Sequence, residues 1–383
     1  MVDTCGRIGR RRCNPCPGAH EFVTLARQDG ANRRELCRRF GISAQTCYKW
    51  LDRFERYGAA GLADVSRRPK SMPSITPLPL AEAVVALRLE HPAWGGRKIA
   101  RRLQDLGFGE IAPSTVTTVL HRHGLISPEA SAAAQPWRRF EHEHPNALWQ
   151  IDFKGLIKTT AGGCHPLTLL DDHSRFSLAI RACAREENEV VHNHLVRVFR
   201  TYGLPVRINA DNGPPWGSPR EPGQLSALAL WLVRLGIRVS YSRPYHPQTN
   251  GKEERFHRSF KAEVLKGRIF ADLPHAQREF ERWRHVYNDQ RPHEALDLAT
   301  PSSRYRMSER GYPERLPPIE YGPDDIVSTV RWGGSVRFKK KYFKVAKGLQ
   351  GLPVALRPVP KRDGLFEVYF VHQKLGEIDL RES

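Results

Sequence analysis

The strongest constraint on the fold is a change of pattern near residue 147. Before it, apolar residues recur at helical spacing. After it, short apolar runs alternate with helical stretches. Leu148 to Phe153, Pro166 to Leu170 and Phe176 to Arg181 read as three successive strands. A helix over 187–202 carries Val190, Val191, His194, Leu195, Val198 and Phe199 on one stripe. A strand over 206–210, a helix over 225–235 and a strand over 237–241 follow, then helices over 248–265 and 276–287. That order predicts a mixed α/β sheet, antiparallel in its first half and parallel in its second.

The region ahead of residue 147 predicts two small helical units. In the first, helices over 20–28, 32–40 and 44–57 bury Phe22, Leu25, Ala26, Leu36, Cys37, Phe40, Cys47, Trp50, Leu51 and Phe54. Gly41-Ile42-Ser43 makes a tight turn, and Ser43 is placed to cap the third helix. Two short helices joined by such a turn form a helix-turn-helix. Its second helix leaves Gln45, Tyr48 and Lys49 on the outer face, with Arg53 one turn further on. The second unit has helices expected over 80–91, 95–106 and 114–123, the last capped by Ser114 and exposing Thr115, Thr118 and Arg122. The domain boundaries read as 1–18 for a Cys- and Arg-rich disordered leader, 19–65 and 76–127 for the helical units, 137–310 for the α/β core and 320–383 for a small β-barrel. The last rests on alternating runs such as Phe366-Glu367-Val368-Tyr369-Phe370, separated by turns at Gly333-Gly334 and Asp363-Gly364.

Charge narrows the partner. The 383 residues hold 61 Lys plus Arg against 41 Asp plus Glu, a net +20. An excess of that size on a folded chain points to a polyanion, here double-stranded DNA. Residues 1–70 alone hold 15 basic and 7 acidic side chains. No apolar run approaches the ~18 residues of a membrane span. No amino-terminal stretch joins a basic start to a long apolar segment, so a secretory signal is not expected. The seven cysteines are too scattered for a disulfide framework. Cys37, Cys47, Cys164 and Cys183 fall in apolar patterns and read as core residues. Cys13 and Cys16 form a single CxxC, where a structural zinc site usually wants two pairs.

Three acids stand out by placement. Asp152 lies inside an apolar strand, Trp149-Gln150-Ile151-Asp152-Phe153. Asp211 ends the fourth strand, in Ile208-Asn209-Ala210-Asp211-Asn212-Gly213. Glu254 lies in the helix that follows the fifth strand. A carboxylate in an apolar strand is costly unless it is paired or holds a metal. Two strand-end carboxylates and one from a crossing helix can converge on Mg²⁺, which prefers oxygen ligands. Two such ions suit phosphoryl transfer. Taken singly, Asp211 also reads as a turn former and Glu254 as a surface charge.

The residues Asp152, Asp211-Asn212-Gly213 and His246-Pro247-Gln248-Thr249-Asn250-Gly251-Lys252-Glu253-Glu254-Arg255-Phe256 resemble the integrase catalytic core of bacterial insertion-sequence transposases. Retroviral integrases share that core. Tyr287-Asn288-Asp289-Gln290-Arg291-Pro292-His293-Glu294-Ala295-Leu296, with Thr300-Pro301, resembles the closing segment of the same transposases. The resemblance covers roughly 20–310. It implies a ribonuclease-H-like core, dependence on Mg²⁺ or Mn²⁺, and DNA cleavage followed by strand transfer. It makes Asp152, Asp211 and Glu254 the catalytic acids and metal ligands. Glu254 is the acid of the Gly-x-x-Glu pattern; the neighbouring Glu253 points about 100° away on a helix. Between Asp211 and Glu254 lie 42 residues, more than the wider superfamily usually has.

Arg258 and Lys261 share a helix face with Glu254, and by the same resemblance contact DNA. Holding two element ends together implies a dimer or larger homo-oligomer. A bacterial, cytoplasmic, nucleoid-associated protein is expected. Two other readings share these features: a metal-dependent nuclease that cuts without joining, and a catalytically inactive DNA-binding regulator derived from a transposase.

Overall fold

The computed structural model describes residues 17–63, 76–126, 142–211, 213–217, 225–241 and 251–381. The leader with Cys13 and Cys16, both inter-domain linkers and the His246 to Asn250 stretch lie outside the described residues. The chain divides into two units, Met1–Ile75 and Thr76–Ser383.

In the first unit, α1 (Pro17–Ala26), α2 (Arg33–Arg39) and α3 (Ala44–Tyr57) enclose Phe22, Val23, Cys37, Cys47 and Leu62. Edge-to-face contacts of Phe22 with Phe40 and Trp50, centroids 5.4 and 5.8 Å apart, fix the helices against one another. Ser43 does cap α3: its Oγ accepts from the Thr46 N–H at 3.2 Å. Gly41, at φ +63°, makes the turn that a side chain would strain.

The second unit opens with α4 (Leu78–Glu90), α5 (Gly96–Asp105) and α6 (Pro113–Arg122) around Val84, Trp94, Ile99, Leu103, Val116 and Leu120. Gly96 is required by close approach, since a Cβ there would stand 2.5 Å from Thr117 Oγ1 and 2.8 Å from the Pro113 carbonyl. Ser114 is not the cap of α6. The helix starts one residue earlier, with Ala112 at the N-cap and Pro113 at the first turn. Proline's fixed φ suits the first helical position, and Ala112 offers no side-chain cap.

This bundle is joined to the core through α5. Arg102 reaches Gln290 Oε1 at 3.4 Å, and Val286 packs against the bundle's apolar cluster. Burial, reinforced by the Arg291 charge, lowers the Lys98 ammonium to about 8.

The core sheet contains β1 (Trp149–Phe153), β2 (Ile157–Thr159), β3 (Gly162–Asp171), β4 (Ser177–Cys183), β5 (Arg207–Ala210) and β6 (Arg238–Tyr241). The central order is β4-β3-β1-β5-β6, with β2 also on β3. β1–β3 and β3–β4 are antiparallel; β1–β5 and β5–β6 are parallel, as the sequence order predicts. β2 was not expected. It is three residues long and pairs with the outer end of β3, with a parallel bridge from Thr159 to Phe270.

The sheet has an apolar layer on each face. On one, α7 (Asn188–Tyr202) and α8 (Ala227–Arg234) supply Val191, Leu195, Val198, Phe199, Leu228 and Leu232. On the other, α9 (Gly251–Phe260) and α10 (Leu273–His285) supply Phe256, Phe260, Phe280 and Trp283, packed on Leu170 and Ile180.

The tail differs from the expected β-barrel. β7 (Ile326–Thr329), β10 (Pro353–Pro358), β11 (Leu365–Phe370) and β12 (Gln373–Asp379) form an open sheet in the order β12-β11-β10-β7. β8 (Ser335–Phe338) and β9 (Lys341–Lys344) form a separate hairpin. Among the described residues no ladder closes these strands into a barrel. The tail's Val354, Leu356, Phe366 and Phe370 instead join the core's own apolar cluster. Its Arg337 to Lys347 basic side chains are exposed.

Candidate active site

Two of the predicted acids meet at the centre of the sheet. Parallel pairing sets Trp149 beside Ile208 and Gln150 beside Asn209. Continued two residues past these pairs, the same offset brings Asp211 toward Asp152, whose carboxyl feels the Asp211 charge. Asp152 is partly covered, its side chain 28% exposed, and Asp211 stands exposed just past β5.

Burial, and then the charge of Asp211, push the Asp152 carboxyl up to about 7. The Phe153 N–H, donating to Asp152 Oδ1 at 2.8 Å, opposes that rise. Apolar β1 residues force the burial, and the β1–β5 register supplies the neighbouring charge.

The third element is α9. Its inner face carries Glu253, Phe256, His257 and Phe260, all buried. Glu254, one position round the helix, is exposed. The side chain that reaches toward Asp152 from within is therefore Glu253. Its carboxyl is raised well above its ordinary value, by burial first, then by the Asp152 charge and, less, by the Asp211 charge.

Glu253 Oε1 accepts from Thr168 Oγ1 at 2.6 Å. The same hydroxyl lies 2.8 Å from His257 Nε2 and 3.0 Å from the Asp152 carbonyl. His257 Nδ1 stands 3.7 Å from Asp152 Oδ2. Desolvation, with the Lys154 charge behind it, lowers the His257 imidazole to about 3, so it is neutral at pH 7. Sequence reasoning missed Thr168 and His257, and treated Glu253 only as the neighbour that points away. A threonine in a strand is ordinary, and its helix partners lie 85 and 89 residues away in sequence.

The amino-terminal turn of α9 is held from outside as well. Lys252 Nζ donates to the Asp172 carbonyl at 3.2 Å and pairs with its carboxylate. The Gln150 amide, at 2.9 Å, and the His142 N–H, at 3.2 Å, donate to the same carboxylate. The closing segment locks the far end of the helix. Arg291 donates to Ser259 Oγ at 3.0 Å and Glu263 Oε1 at 3.2 Å, and the Asn288 side chain bonds both the N–H and the carbonyl of Ser177.

Among the described residues, no three His, Cys, Asp or Glu side chains form a ready-made metal cage. The donors at the sheet centre nevertheless suit a hard cation. Asp152 and Asp211 offer carboxylate oxygens, and a divalent ion would favour the ionised form of the Asp152 carboxyl that burial first, and the Asp211 charge second, now oppose.

The expected DNA contacts divide by exposure. Gln45, Tyr48 and Lys49 are exposed on α3, and Arg53 is half-buried. On α6, Thr118 and Arg122 are exposed and Thr115 is half-buried; Thr118 Oγ1 is engaged with the Ser114 carbonyl at 2.9 Å. Arg258 and Lys261 are exposed at the end of α9 and just beyond it.

Comparison with known proteins agrees with this layout. Residues 142–247 and 235–301 each match a family described as the integrase core domain. Residues 21–70 match a helix-turn-helix domain and 46–120 a homeodomain-like domain. A protein of insertion element IS407 from Burkholderia multivorans is 30% identical over 41% of this chain and 54% of its own length. The chain thus spans about half of that relative. A protein of insertion element IS476 from Xanthomonas euvesicatoria is 26% identical over 65% of this chain and 72% of its own. The magnesium-bound catalytic core of HTLV-2 integrase superposes with a TM-score of 0.32 at 15% identity, over 43% of this chain and 99% of that one.

Helix-turn-helix matches ahead of integrase-core matches make the chain similar to the proteins of bacterial insertion elements. Residues 325–383 match a family described as the C-terminal domain of IS481 family transposases.

Proposed function

We propose that this chain is a transposase of the two-aspartate, one-glutamate type. It binds the terminal inverted repeats of a mobile element, cleaves at their ends and joins the freed 3′-hydroxyl to target DNA. The observation that supports the reading is the parallel β1–β5 pairing at the centre of the sheet, with the Asp211 charge acting on the Asp152 carboxyl.

Asp152, Asp211 and Glu254 would hold two Mg²⁺ or Mn²⁺ ions. These would activate the attacking hydroxyl and offset the charge on the leaving oxygen. The exposed position of Glu254 leaves it open to solvent and substrate. Lys252 and Arg291 fix the helix that carries it. Gln45, Tyr48, Lys49 and Arg53 on α3, with Thr115, Thr118 and Arg122 on α6, would hold duplex DNA. Arg258 and Lys261 would contact DNA beside the acids. The acting species would be a homodimer or larger assembly, working on the bacterial nucleoid in the cytoplasm. Among the described residues no helix is long and apolar enough to cross a membrane.

The test is a strand-transfer assay with labelled duplex carrying the element's end repeat, target plasmid and Mg²⁺. Wild-type protein should nick at the repeat end and produce joined product. Asp152→Asn, Asp211→Asn and Glu254→Gln should each abolish both steps while leaving DNA binding in place. Nicking without joining would identify a nuclease instead. Full activity in Glu254→Gln would remove that residue from the site.

A further inference from the structure

We propose that Glu253, together with Thr168 and His257, is a positioning device for the acidic site and not one of its metal ligands. The inference rests on the reading above, in which Asp152, Asp211 and Glu254 do the binding.

Thr168 is the cross-strand partner of Asp152 in the antiparallel β1–β3 ladder. Its Oγ1 is where three groups meet: Glu253 Oε1 at 2.6 Å, His257 Nε2 at 2.8 Å and the Asp152 carbonyl at 3.0 Å. A hydroxyl has one proton to give and two lone pairs. Its one proton is shared between the two oxygens, Glu253 Oε1 and the Asp152 carbonyl, and a lone pair is free to accept from His257 Nε2. Glu253 and His257 are one helical turn apart, so both grip Thr168 from the same face of α9. One buried hydroxyl thus ties the helix to the strand directly behind Asp152.

Adjacent positions on a helix point about 100° apart. Glu253 faces this knot, its side chain 3% exposed, and no polar partner reaches its buried Oε2. Glu254 faces outward. A Mg²⁺ that keeps waters and touches substrate sits on the solvent side of its ligands, the side that Glu254 faces. The two neighbouring glutamates divide the work. Glu253 sets how deep and at what rotation α9 sits on the sheet, and Glu254 reaches the ions from that fixed base. Side chains behind metal ligands commonly alter metal affinity ~10–100-fold when removed.

The test uses full-length Glu253→Gln, Thr168→Val, Thr168→Ser and Glu254→Gln. Two readouts are taken: Mn²⁺ binding to the protein alone by electron paramagnetic resonance, and the Mg²⁺ dependence of end cleavage. Glu253→Gln keeps the shape and a hydrogen-bonding amide, so Mn²⁺ affinity and cleavage should stay within ~3-fold of wild type. Thr168→Val should weaken Mn²⁺ binding by ~10-fold or more, and Thr168→Ser should restore it. Glu254→Gln should lose both binding and cleavage.

If Glu253→Gln loses Mn²⁺ binding as Asp152→Asn does, Glu253 is a ligand and the proposal fails. Wild-type Mn²⁺ affinity in Thr168→Val would also overturn it. Should Thr168→Val fail to fold, Glu253→Gln and Thr168→Ser still decide between a ligand and a positioning residue. A wild-type protein that binds Mn²⁺ but never cuts DNA would refute the transposase reading. The Mn²⁺ pattern would then still judge this one.

Discussion

Lys252 crosses from the first turn of α9 to the end of β3, where its ammonium pairs with the Asp172 carboxylate and donates to the Asp172 carbonyl at 3.2 Å. Both side chains are largely hidden, 17% and 3% exposed. The pair holds the helix that carries Glu253 and Glu254 at the point where it begins.

The two partners are not equivalent, and that gives the first prediction. Removing Lys252 leaves Asp172 with two donors, the Gln150 amide and the His142 N–H. Removing Asp172 takes the carboxylate from a largely covered ammonium and from two further donors, the Gln150 amide and the His142 N–H. Asp172→Leu should therefore cost about 3–5 kcal/mol, in the range of breaking a buried ion pair. Lys252→Met should cost about half that or less. Urea unfolding of the two variants checks the order; equal losses, or losses below about 0.5 kcal/mol, would refute it.

Asp152 yields a prediction about pH. Its carboxyl titrates near 7 in the fold and near 3.8 when unfolded. Between those values the unfolded chain has lost this proton and the folded chain still holds it. The contribution of the group is therefore most favourable below pH 3.8, falls as pH rises toward 7, and is flat above. In chelator, Asp152→Asn should be more stable than wild type at pH 8, by roughly 2–4 kcal/mol. The gain should shrink steadily as pH is lowered toward 5. Thermal melts at pH 5, 6, 7 and 8 measure it, and a gain independent of pH would contradict the assignment.

Lys98 gives the opposite sign. Burial lowers it from 10.5 to about 8, so between those values the unfolded chain holds the extra proton. Its contribution to stability rises as pH increases from about 8 to about 10.5. The stability of wild type relative to Lys98→Met should therefore climb across that window. Urea midpoints at pH 7.5, 8.5 and 9.5 test this; a constant difference would show that Lys98 keeps its ordinary affinity for the proton.

On α3, Lys49 is exposed beside Tyr48, which is 60% exposed. A lysine that neutralises one phosphate contributes about one unit to the slope of log affinity against log salt. Lys49→Ala should lower duplex affinity across all sequences and flatten that slope by about one. Fluorescence anisotropy between 50 and 200 mM salt, roughly the range over which counterion release is felt, reads both. An unchanged slope would remove Lys49 from the interface.

Much of this layout is written in the sequence because local rules fixed it. Ser43 caps α3 because a serine stands just before a periodic helix, after a glycine turn. The strands β1, β3, β4, β5 and β6 appear as apolar runs because both faces of the sheet are covered. Asp152 stood out because a charge in such a run needs a reason. The features that escaped are those that local rules do not encode. Strand β2 is too short to carry a period, and α6 begins at Pro113 with no side-chain cap, where Ser114 was expected to supply one. The tail has the alternation of a barrel, but alternation does not say whether the last ladder closes. The meeting of Glu253 and His257 on Thr168, and of Lys252 on Asp172, joins residues 80 or more positions apart. Only the packed helix reveals them.

The seating of α5 on the closing segment has a mechanical consequence. Arg102 on Gln290 and Val286 in the bundle's apolar cluster make the helices of residues 78–122 part of the body that bears the acids. In the transposase reading, a groove read by α6 is then one jaw of a calliper whose other jaw is the pair Asp152 and Asp211. The number of base pairs between the site read and the bond cut becomes a fixed dimension of a single solid, like the gap of a gauge block. Changing the length of the chain between residues 127 and 141 would leave that dimension where it is.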